Sequence, residues 1–341
     1  MRTRRNAADP APWAALALAV LAVAIALAVA RCGGDKDPIE VIEPPTTPSP
    51  SPAATVVAEP TPEPTEFRVA YINLMSPKTL DATNTAPSDT FDERLALVIA
   101  ELKEFKPDVV AFSEATDTPE HGKAADILGK ELVLERFYVR SYPWVPGQTK
   151  AEQETLVKAI GGEEGELILY NAARFPHLSG DRFWLNPRTS QIDAPAAIWM
   201  RFKGPAAIGE IDVFVTHLTG TDTRVRAQQA ASLRAYIDEK KGRGPVILLG
   251  DLGDPPDSAT VQVFTSSGLQ DPFAGIPEAT CCRESILGEQ PPVTTRTSYV
   301  LVSRWTPSVV DVFAETPGKR EDGTLLYASD HNGVTAVFPI P

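Results

Sequence analysis

Four polar side chains follow short apolar runs in this sequence, at the points where those runs end. They are Asn73, Glu114, His217 and Asp251. Each of them alone is explained by a helix cap or a turn. Together they offer carboxylates, an amide and an imidazole, which are groups that hold a hard divalent cation and orient an attacking water molecule. Because sites in α/β folds form at the carboxyl ends of strands, we predict a site for phosphoester hydrolysis there.

The apolar runs predict short strands separated by helices from Phe67 onward. Two segments carry apolar residues on one helical face, namely Phe91–Phe105 and Thr223–Lys240. Helices among many strands exclude an all-β sandwich, but the pattern alone does not distinguish a doubly wound sheet from an α/β sandwich of two sheets. The predicted strands are Phe67–Ile72, Asp108–Phe112, Leu167–Tyr170, Ile211–Val215 and Val246–Leu249.

An uncharged apolar run covers Ala11–Ala30, with arginines before it and Arg31 after it. It is long enough to cross a bilayer, and its basic flank predicts a single-pass anchor in the cell membrane with the rest of the chain on the extracytoplasmic side. Two alternatives remain open. Ala28–Ala30 supplies the pattern of a cleaved signal, which would give a secreted protein. Cys32 permits a lipoprotein, although the preceding Arg31 is not the small residue that such signals carry.

The composition divides the chain into three parts. Residues 1–32 hold the membrane anchor or signal segment. Residues 33–66 are rich in Pro, Thr and Ser, which bury little apolar surface, and we predict an extended linker there. Residues 67–341 form the folded domain.

The charge of the chain bears on its partners. The formal net charge is −13, although the first residues are basic, so the folded part is acidic. An acidic domain repels phosphate backbones and lacks the basic footprint of a nucleic-acid-binding protein. Duplex DNA is therefore disfavoured as a substrate, without being excluded, because a bound divalent metal changes the local field.

The three cysteines are too few for a scaffold built on disulfides. Cys281 and Cys282 are neighbours in the chain. They are either two half-buried thiols or a redox-sensitive vicinal disulfide, which an oxidising compartment would permit.

Five motifs in this chain resemble, in the same order, those of the endonuclease/exonuclease/phosphatase superfamily. Any one of them is weak evidence, but five in order, spread over Phe67–Pro341, are strong evidence. The motifs are the opening strand Phe67–Leu74, Pro107–Glu114 with its closing glutamate, Thr216–Leu218 with its histidine, Gly250–Ser258 in place of GDFNDxPxS, and the SDH motif Ser329–His331.

The resemblance implies a fold and a cofactor. The fold is α/β, a four-layer α/β/β/α sandwich of two packed mixed sheets, as in deoxyribonuclease I. The cofactor is Mg²⁺ or Mn²⁺, which Glu114 would bind with help from Asn73, while Asp330 would support a metal.

The same resemblance implies catalytic roles. Asp251 would orient and activate the attacking water molecule. His217 and His331 would donate to the phosphoryl oxygens or transfer protons. Glu166 could hydrogen-bond His217, as an acidic residue does in some relatives. His121 and His177 match no motif, and we expect ordinary surface or turn residues.

Two positions depart from the family pattern. The asparagine of GDFN is Gly253 here, so a side-chain amide is missing, and the aspartate that orients the SDH histidine is Ser298. Losing one preorganised donor in a hydrolytic site costs about two to three orders of magnitude in rate. Three outcomes are open: a slow enzyme, a substitute such as Asp254, or a domain that no longer catalyses.

These observations predict metal-dependent hydrolysis of a phosphodiester or phosphomonoester outside the cytoplasm. The acidic surface favours a phosphorylated small molecule, a lipid headgroup or a nucleotide as substrate. The alternative is a catalytically degenerate domain that binds a ligand or a partner protein. We expect the loops Ser76–Thr90 and Tyr142–Glu164 to select the substrate.

Overall fold

The computed structural model describes residues 63–77, 90–188, 190–219 and 222–341. The predicted anchor or signal segment and nearly all of the predicted linker lie outside the described residues, as does most of the loop Ser76–Thr90. Within the described ranges, no helix has both the length and the apolar character needed to cross a membrane.

Helices are interspersed among the strands of the described chain. The helices are α1 (Phe91–Phe105), α2 (Ala124–Leu132), α3 (Lys150–Ile160), α4 (Thr223–Lys240) and α5 (Ala259–Thr265). The strands are β1 (Glu66–Asn73), β2 (Val109–Thr118), β3 (Gly122–Lys123), β4 (Glu135–Tyr142), β5 (Glu163–Tyr170), β6 (His177–Trp184), β7 (Ala196–Lys203), β8 (Glu210–His217), β9 (Val246–Asp251), β10 (Ser298–Ser303), β11 (Val309–Phe313), β12 (Gly318–Lys319), β13 (Leu325–Leu326) and β14 (Gly333–Pro339).

Two mixed sheets carry the fold. The first has the order β11-β14-β1-β2-β5-β4, with β3 paired to β2, and the second has the order β10-β9-β8-β7-β6. Each contains one parallel pair, β1 with β2 in the first sheet and β8 with β9 in the second, among antiparallel neighbours. The short strands β12 and β13 pair separately.

Alternation along the strands divides the core into layers. Val69 and Tyr71 of β1 pack with residues of the second sheet, such as Val215 of β8, whereas Ala70 and Ile72 pack against α1 and α2. The outer face of the second sheet packs against α4 and α5. A strand that is buried on both faces reads as a continuous apolar run, which is the pattern found in β1. The result is the predicted α/β/β/α sandwich, which is confirmed.

The two histidines outside the motifs differ in burial. His121 lies in a turn but is buried, with Nδ1 3.2 Å from Asp92 Oδ1. His177 begins β6 and is exposed.

Candidate active site

Three of the predicted site residues end strands of the two sheets. Glu114, which was expected at a strand end, and Glu166 lie within strands, and Asp330 and His331 precede the last strand. Asn73 is the last residue of β1, and His217 and Asp251 are the last residues of β8 and β9. His217 and Asp251 stand opposite each other in the parallel ladder. His331 lies two residues before β14, whose pairing with β1 brings the end of the chain to the same region. The packing of the sheets thus gathers residues that are far apart in sequence.

Glu114 occupies an irregular position in β2. The pairing of β2 with β5 shifts register between Phe112 and Ala115, and Glu114 has a φ of 54°. A non-glycine residue in this region costs of order 1–3 kcal/mol and persists only where its surroundings hold it. Its carboxylate accepts hydrogen bonds from Asn73 Nδ2 at 2.9 Å and from the Ser76 N–H at 2.7 Å. The strained backbone therefore aims this carboxylate into the site.

Asp251 is buried beneath the centre of the site. Its Oδ1 accepts from the Gly253 N–H at 2.8 Å, and its Oδ2 lies 3.5 Å from both Asn73 Nδ2 and His331 Nδ1. Burial alone would raise the pKa of Asp251, but His331, His217 and the Gly253 N–H outweigh burial and leave it below its usual value. Asp251 is therefore an ionised carboxylate at neutral pH, as a proton acceptor must be.

His217 faces several acidic groups. Burial would lower the pKa of His217, but Asp251, Glu114 and Glu166 together raise it. A raised pKa keeps a larger share of the imidazole protonated at neutral pH, so His217 is suited to donate a proton or a hydrogen bond.

Glu166 contacts a serine rather than the histidine with which it was predicted to bond. Its Oε2 accepts from Ser113 Oγ at 2.9 Å, and Ser113 Oγ lies 2.5 Å from Tyr71 Oη. Both His217 and Glu166 are described, and no direct hydrogen bond joins them. Burial raises the pKa of Glu166 to about 7, with His217 and Ser113 opposing. Glu166 therefore acts on His217 through charge.

We expect Glu166→Gln to flatten the pH dependence of stability. A carboxyl with a folded-state pKa of about 7, above its ordinary 4.5, contributes stability that is present at low pH and lost as pH rises through 7. The free energy of unfolding of the wild type should therefore fall between about pH 5 and pH 8 relative to that of the variant. Urea unfolding in chelator across this range measures the difference. Glu104→Gln, at an exposed position on α1, is the matched control and should follow the wild type; parallel curves for Glu166→Gln and the wild type would contradict the expectation.

The closing motif is fixed to β1 by its serine. Ser329 Oγ donates to the carbonyl of Asn73 at 2.7 Å and accepts from the His331 N–H at 3.1 Å. This brings Asp330 toward the acidic cluster. Burial raises the pKa of Asp330, and the charges of Glu114 and Asp251 add to that effect.

Ser298 stands where the family pattern has the aspartate that orients the SDH histidine. It pairs in register with Asp251 and is fully buried. Its Oγ has no hydrogen-bond partner among the described residues. The imidazole that an aspartate would orient from this position has its Nδ1 at 3.5 Å from Asp251 Oδ2 instead.

Gly253 is enclosed by an ion pair. Its φ is 67°, and a Cβ at this position would lie 2.8 Å from Arg226 Cδ. Arg226 cannot easily yield, because its Nε and Nη2 bind both carboxylate oxygens of Asp254, at 2.9 and 2.5 Å. Thr260 Oγ1 donates to the same carboxylate at 2.6 Å. Asp254 is thus a buried structural partner of Arg226, which argues against its serving as the predicted substitute.

We expect Gly253→Asn to destabilise the protein by about 1–3 kcal/mol and to give no gain in turnover, because overpacking against Arg226 displaces a buried ion pair. Asparagine tolerates a positive φ, so the contact rather than the backbone conformation opposes it. Chemical denaturation and turnover measure the two effects. Gly268→Asn is the matched control, since Gly268 also has a positive φ, of 96°, with nothing within 4 Å of the added Cβ. Equal stability of the two variants would show that Arg226 yields freely.

Arg94 is a site residue that the motifs did not predict. It is 1% exposed on the inner face of α1, and it donates to the carbonyls of Leu74 at 2.6 Å, Met75 at 2.8 Å and Ala328 at 3.1 Å. Burial lowers its pKa to about 10, with Asp330 and Glu114 opposing. Arg94 thus ties the end of β1 to the segment before the closing motif. The available signal was a charged residue on an otherwise apolar helical face.

The donor set fits a hard divalent cation. Glu114 Oε1 and Asp251 Oδ2 lie 2.9 and 3.5 Å from Asn73 Nδ2. Burial raises the pKa of Asp330, and the charges of Glu114 and Asp251 add to that effect, so the three carboxylates are neighbours. Oxygen donors of this kind suit Mg²⁺ or Mn²⁺, which bind through one or two carboxylates and keep several water molecules. The acidic groups do not form a closed cage. In the described ranges, the cluster of His, Cys and acidic side chains whose ligand atoms all lie within 4.8 Å of one another is Cys281, Cys282 and His331.

Comparison with known protein families identifies one match. The model of the Endonuclease/Exonuclease/phosphatase family matches residues 73–331. No curated protein matches the sequence.

Solved structures share the fold at low identity. An endonuclease/exonuclease/phosphatase family protein from Bacteroides thetaiotaomicron has a TM-score of 0.61 and 17% identity, with 82% of this chain and 99% of that chain covered. A mannosyl-6-phosphatase from the same organism has a TM-score of 0.60 and 16% identity, with 80% and 100% covered. The catalytic domain of human Nocturnin with a bound sulfate anion has a TM-score of 0.56 and 17% identity, with 81% and 95% covered.

Proposed function

The chain belongs to the Endonuclease/Exonuclease/phosphatase family, and we propose on that premise that it hydrolyses a phosphoester with the help of Mg²⁺ or Mn²⁺. The observation that carries the proposal is the convergence of Asp251, His217 and His331 on one another beside Glu114. Metal-assisted hydrolysis uses an ionised base to take a proton from water, a protonated histidine to donate, and a carboxylate to bind the cation, and these groups lie together here.

Different residues of this chain carry the separate proton transfers of the proposed reaction. Asp251, ionised because His331 and His217 outweigh burial, accepts the proton of the attacking water molecule. His217 donates to a phosphoryl oxygen, on which negative charge grows as the water oxygen bonds to phosphorus. The bond from phosphorus to the ester oxygen breaks, and the departing oxygen takes up a proton from His331, so an alcohol is released together with phosphate or a phosphate monoester.

Glu114 and Asp330 are the side chains that would hold the cation. Asn73, which was predicted to help bind it, accepts from the Met75 N–H at 2.9 Å through its Oδ1 and turns its Nδ2 toward Glu114. When bound, Mg²⁺ or Mn²⁺ neutralises charge on the phosphoryl oxygens. Asn73 acts by orienting two carboxylates, because its Nδ2 donates to Glu114 Oε1 at 2.9 Å and lies 3.5 Å from Asp251 Oδ2.

We propose a phosphorylated small molecule, a lipid headgroup or a nucleotide as the substrate, and we disfavour duplex DNA because of the net charge of −13. The loop region Tyr142–Glu164 is the proposed selector. Near its start, Trp144 stacks on Trp184 at 5.0 Å, and the guanidinium of Arg182 lies 5.3 Å from the centre of the Trp144 ring. Aromatic and cationic groups together suit a ligand with a flat or sugar-like part and a negative charge.

The proposed place of action is outside the cytoplasm, on a single-pass anchor or after signal cleavage. Its support is the apolar run Ala11–Ala30 with its basic flank.

The first test is hydrolysis of bis-p-nitrophenyl phosphate by the purified chain with Mg²⁺, with Mn²⁺ and with chelator. We expect release of nitrophenol that depends on the metal and is absent from His217→Ala. Release that persists unchanged in chelator would overturn the metal dependence. Release that persists in His217→Ala would overturn the assignment of the site.

The second candidate function is a binding domain without turnover. The observation that favours it is Ser298, which is buried with an unpartnered Oγ in place of the family's aspartate. A domain of this kind would bind a phosphorylated ligand in the presence of Mg²⁺ and release no product. Binding without release across diesters and monoesters would favour it.

A further inference from the structure

Cys281 and Cys282 lie directly against the histidine of the closing motif. The two sulfurs are joined in a disulfide. His331 Nε2 is 3.7 Å from Cys281 Sγ and 3.6 Å from Cys282 Sγ. The mechanism proposed above makes no use of either cysteine.

The backbone holds this arrangement from both sides. The Cys281 N–H donates to the carbonyl of Thr295 at 2.8 Å. The Asn332 N–H donates to the carbonyl of Thr280 at 2.8 Å, and the Arg283 N–H donates to the carbonyl of Asp330 at 2.9 Å. The cysteine pair is therefore fixed in register beside His331 by bonds that do not depend on the disulfide.

The two sulfur–nitrogen separations match a tetrahedral metal site, whereas the sulfurs, now bonded to each other, must move to about 3.8 Å apart on reduction. Bond lengths of about 2.3 Å to sulfur and about 2.0–2.1 Å to nitrogen place the two ligand atoms about 3.6 Å apart at the tetrahedral angle. The observed sulfur–nitrogen distances are 3.6 and 3.7 Å. All three ligand atoms lie within 4.8 Å of one another, a closeness that the acidic residues of the site do not reach in the described chain.

We propose that the reduced pair Cys281 and Cys282, together with His331 Nε2, binds a thiophilic divalent cation such as Zn²⁺. Cys282 is exposed, so a cation can enter and water can complete the coordination. Asp330 Oδ1 lies 4.0 Å from the same Nε2 and adds negative charge. This site is distinct in chemistry from the oxygen-donor site at Glu114, because soft thiolates select Zn²⁺ over Mg²⁺.

The disulfide must open before the cation binds. A small-molecule dithiol supplies two electrons and two protons, the sulfur–sulfur bond breaks, and the reductant leaves as its own disulfide. The cation then displaces the thiol protons to solvent and takes both sulfurs as thiolates. Reduction thus creates a site that oxidation abolishes.

Occupation of this site blocks hydrolysis, a consequence that rests on the proposed function. A His331 whose Nε2 binds Zn²⁺ cannot give a proton through that nitrogen to the departing oxygen. The reduced chain is therefore inhibited by Zn²⁺ at concentrations far below those at which Mg²⁺ supports hydrolysis, whereas the oxidised chain resists.

The test uses the full chain carrying Cys32→Ser, so that Cys281 and Cys282 are its only thiols. The reduced protein, freed of reductant, is titrated with Cd²⁺, and the ultraviolet charge-transfer band between thiolate and cadmium is recorded. We expect one equivalent to saturate the band, no band in the oxidised protein, and none in the further variant Cys281→Ser/Cys282→Ser. His331→Gln should weaken Cd²⁺ binding by at least about tenfold, because loss of a group that merely hydrogen-bonds a metal ligand already costs that much.

Two results would overturn the site. One is the absence of a band from the reduced protein, and the other is unchanged Cd²⁺ affinity in His331→Gln. Failure of the proposed function looks different, because the band then appears normally while neither the oxidised nor the reduced chain hydrolyses any ester. If hydrolysis occurs, inhibition by Zn²⁺ that persists in Cys281→Ser/Cys282→Ser would place the inhibitory ion elsewhere.

Discussion

Replacing Asp251 with asparagine is expected to lower the rate of phosphoester hydrolysis by about 10²–10⁴-fold, which is the usual contribution of general acid–base catalysis. Asparagine keeps the size of the side chain and can still accept from the Gly253 N–H, now 2.8 Å from Oδ1. It cannot take a proton from water. It also removes the negative charge that contributes to the raised pKa of His217, so the proton donor weakens at the same time.

Turnover at saturating Mn²⁺, with circular dichroism and thermal unfolding, separates chemistry from folding. Asp257→Asn is the matched control, since Asp257 is exposed in the same loop, and it should retain the rate of the wild type. Comparable loss of rate in both variants would indicate damage to the loop rather than loss of a base. Turnover in Asp251→Asn within about threefold of the wild type would be incompatible with a contribution of 10²-fold or more and would remove Asp251 from the mechanism.

Local pattern was sufficient for the elements that bury a regular apolar face. The predicted helices Phe91–Phe105 and Thr223–Lys240 have the same bounds in the structure. The five predicted strands all lie within observed strands apart from Asp108, which precedes β2 by one residue. The strand β6, for example, was not predicted, because its exposed and half-buried residues give no continuous apolar run.

Long-range packing explains what local pattern missed at the site. Motif order placed Asn73, Asp251 and His331, and the structure joins them at 3.5 Å separations across two sheets. Motif order could not reveal that Arg94 donates from a helix to three carbonyls. It also could not reveal that Ser113, rather than His217, hydrogen-bonds Glu166. Such contacts depend on side-chain direction and depth, which one sequence does not encode locally.

Gly253 is a second position at which the sequence alone did not reveal the packing. Sequence comparison reads it as an amide lost from a family motif. In the structure, the bidentate pair of Arg226 and Asp254 fills the space that a Cβ would need. The packing around Gly253, which the motif comparison does not show, therefore decides whether an asparagine fits there.

Replacing Glu114 with glutamine is expected to weaken binding of Mn²⁺ by more than about 100-fold, since loss of an outer partner alone costs about 10–100-fold. Glutamine keeps the length of the side chain but loses the charge. Its amide group must also turn one N–H donor toward Asn73 Nδ2 or the Ser76 N–H, which now donate to the two carboxylate oxygens at 2.9 and 2.7 Å. We therefore also expect a loss of stability of about 1–3 kcal/mol from an unmet donor.

Titration of Mn²⁺ by calorimetry or electron paramagnetic resonance measures this affinity without any substrate, so it tests the metal site whether or not the chain catalyses. Asp117→Asn is the matched control, because Asp117 is a half-buried acidic residue on the same strand, 4.0 Å from Lys123 Nζ. It should bind Mn²⁺ as the wild type does. Equal affinity in Glu114→Gln and the wild type would show that the strained backbone at Glu114 aims its carboxylate at Asn73 and Ser76 for another purpose, and the oxygen-donor site would then rest on Asp330 and Asp251.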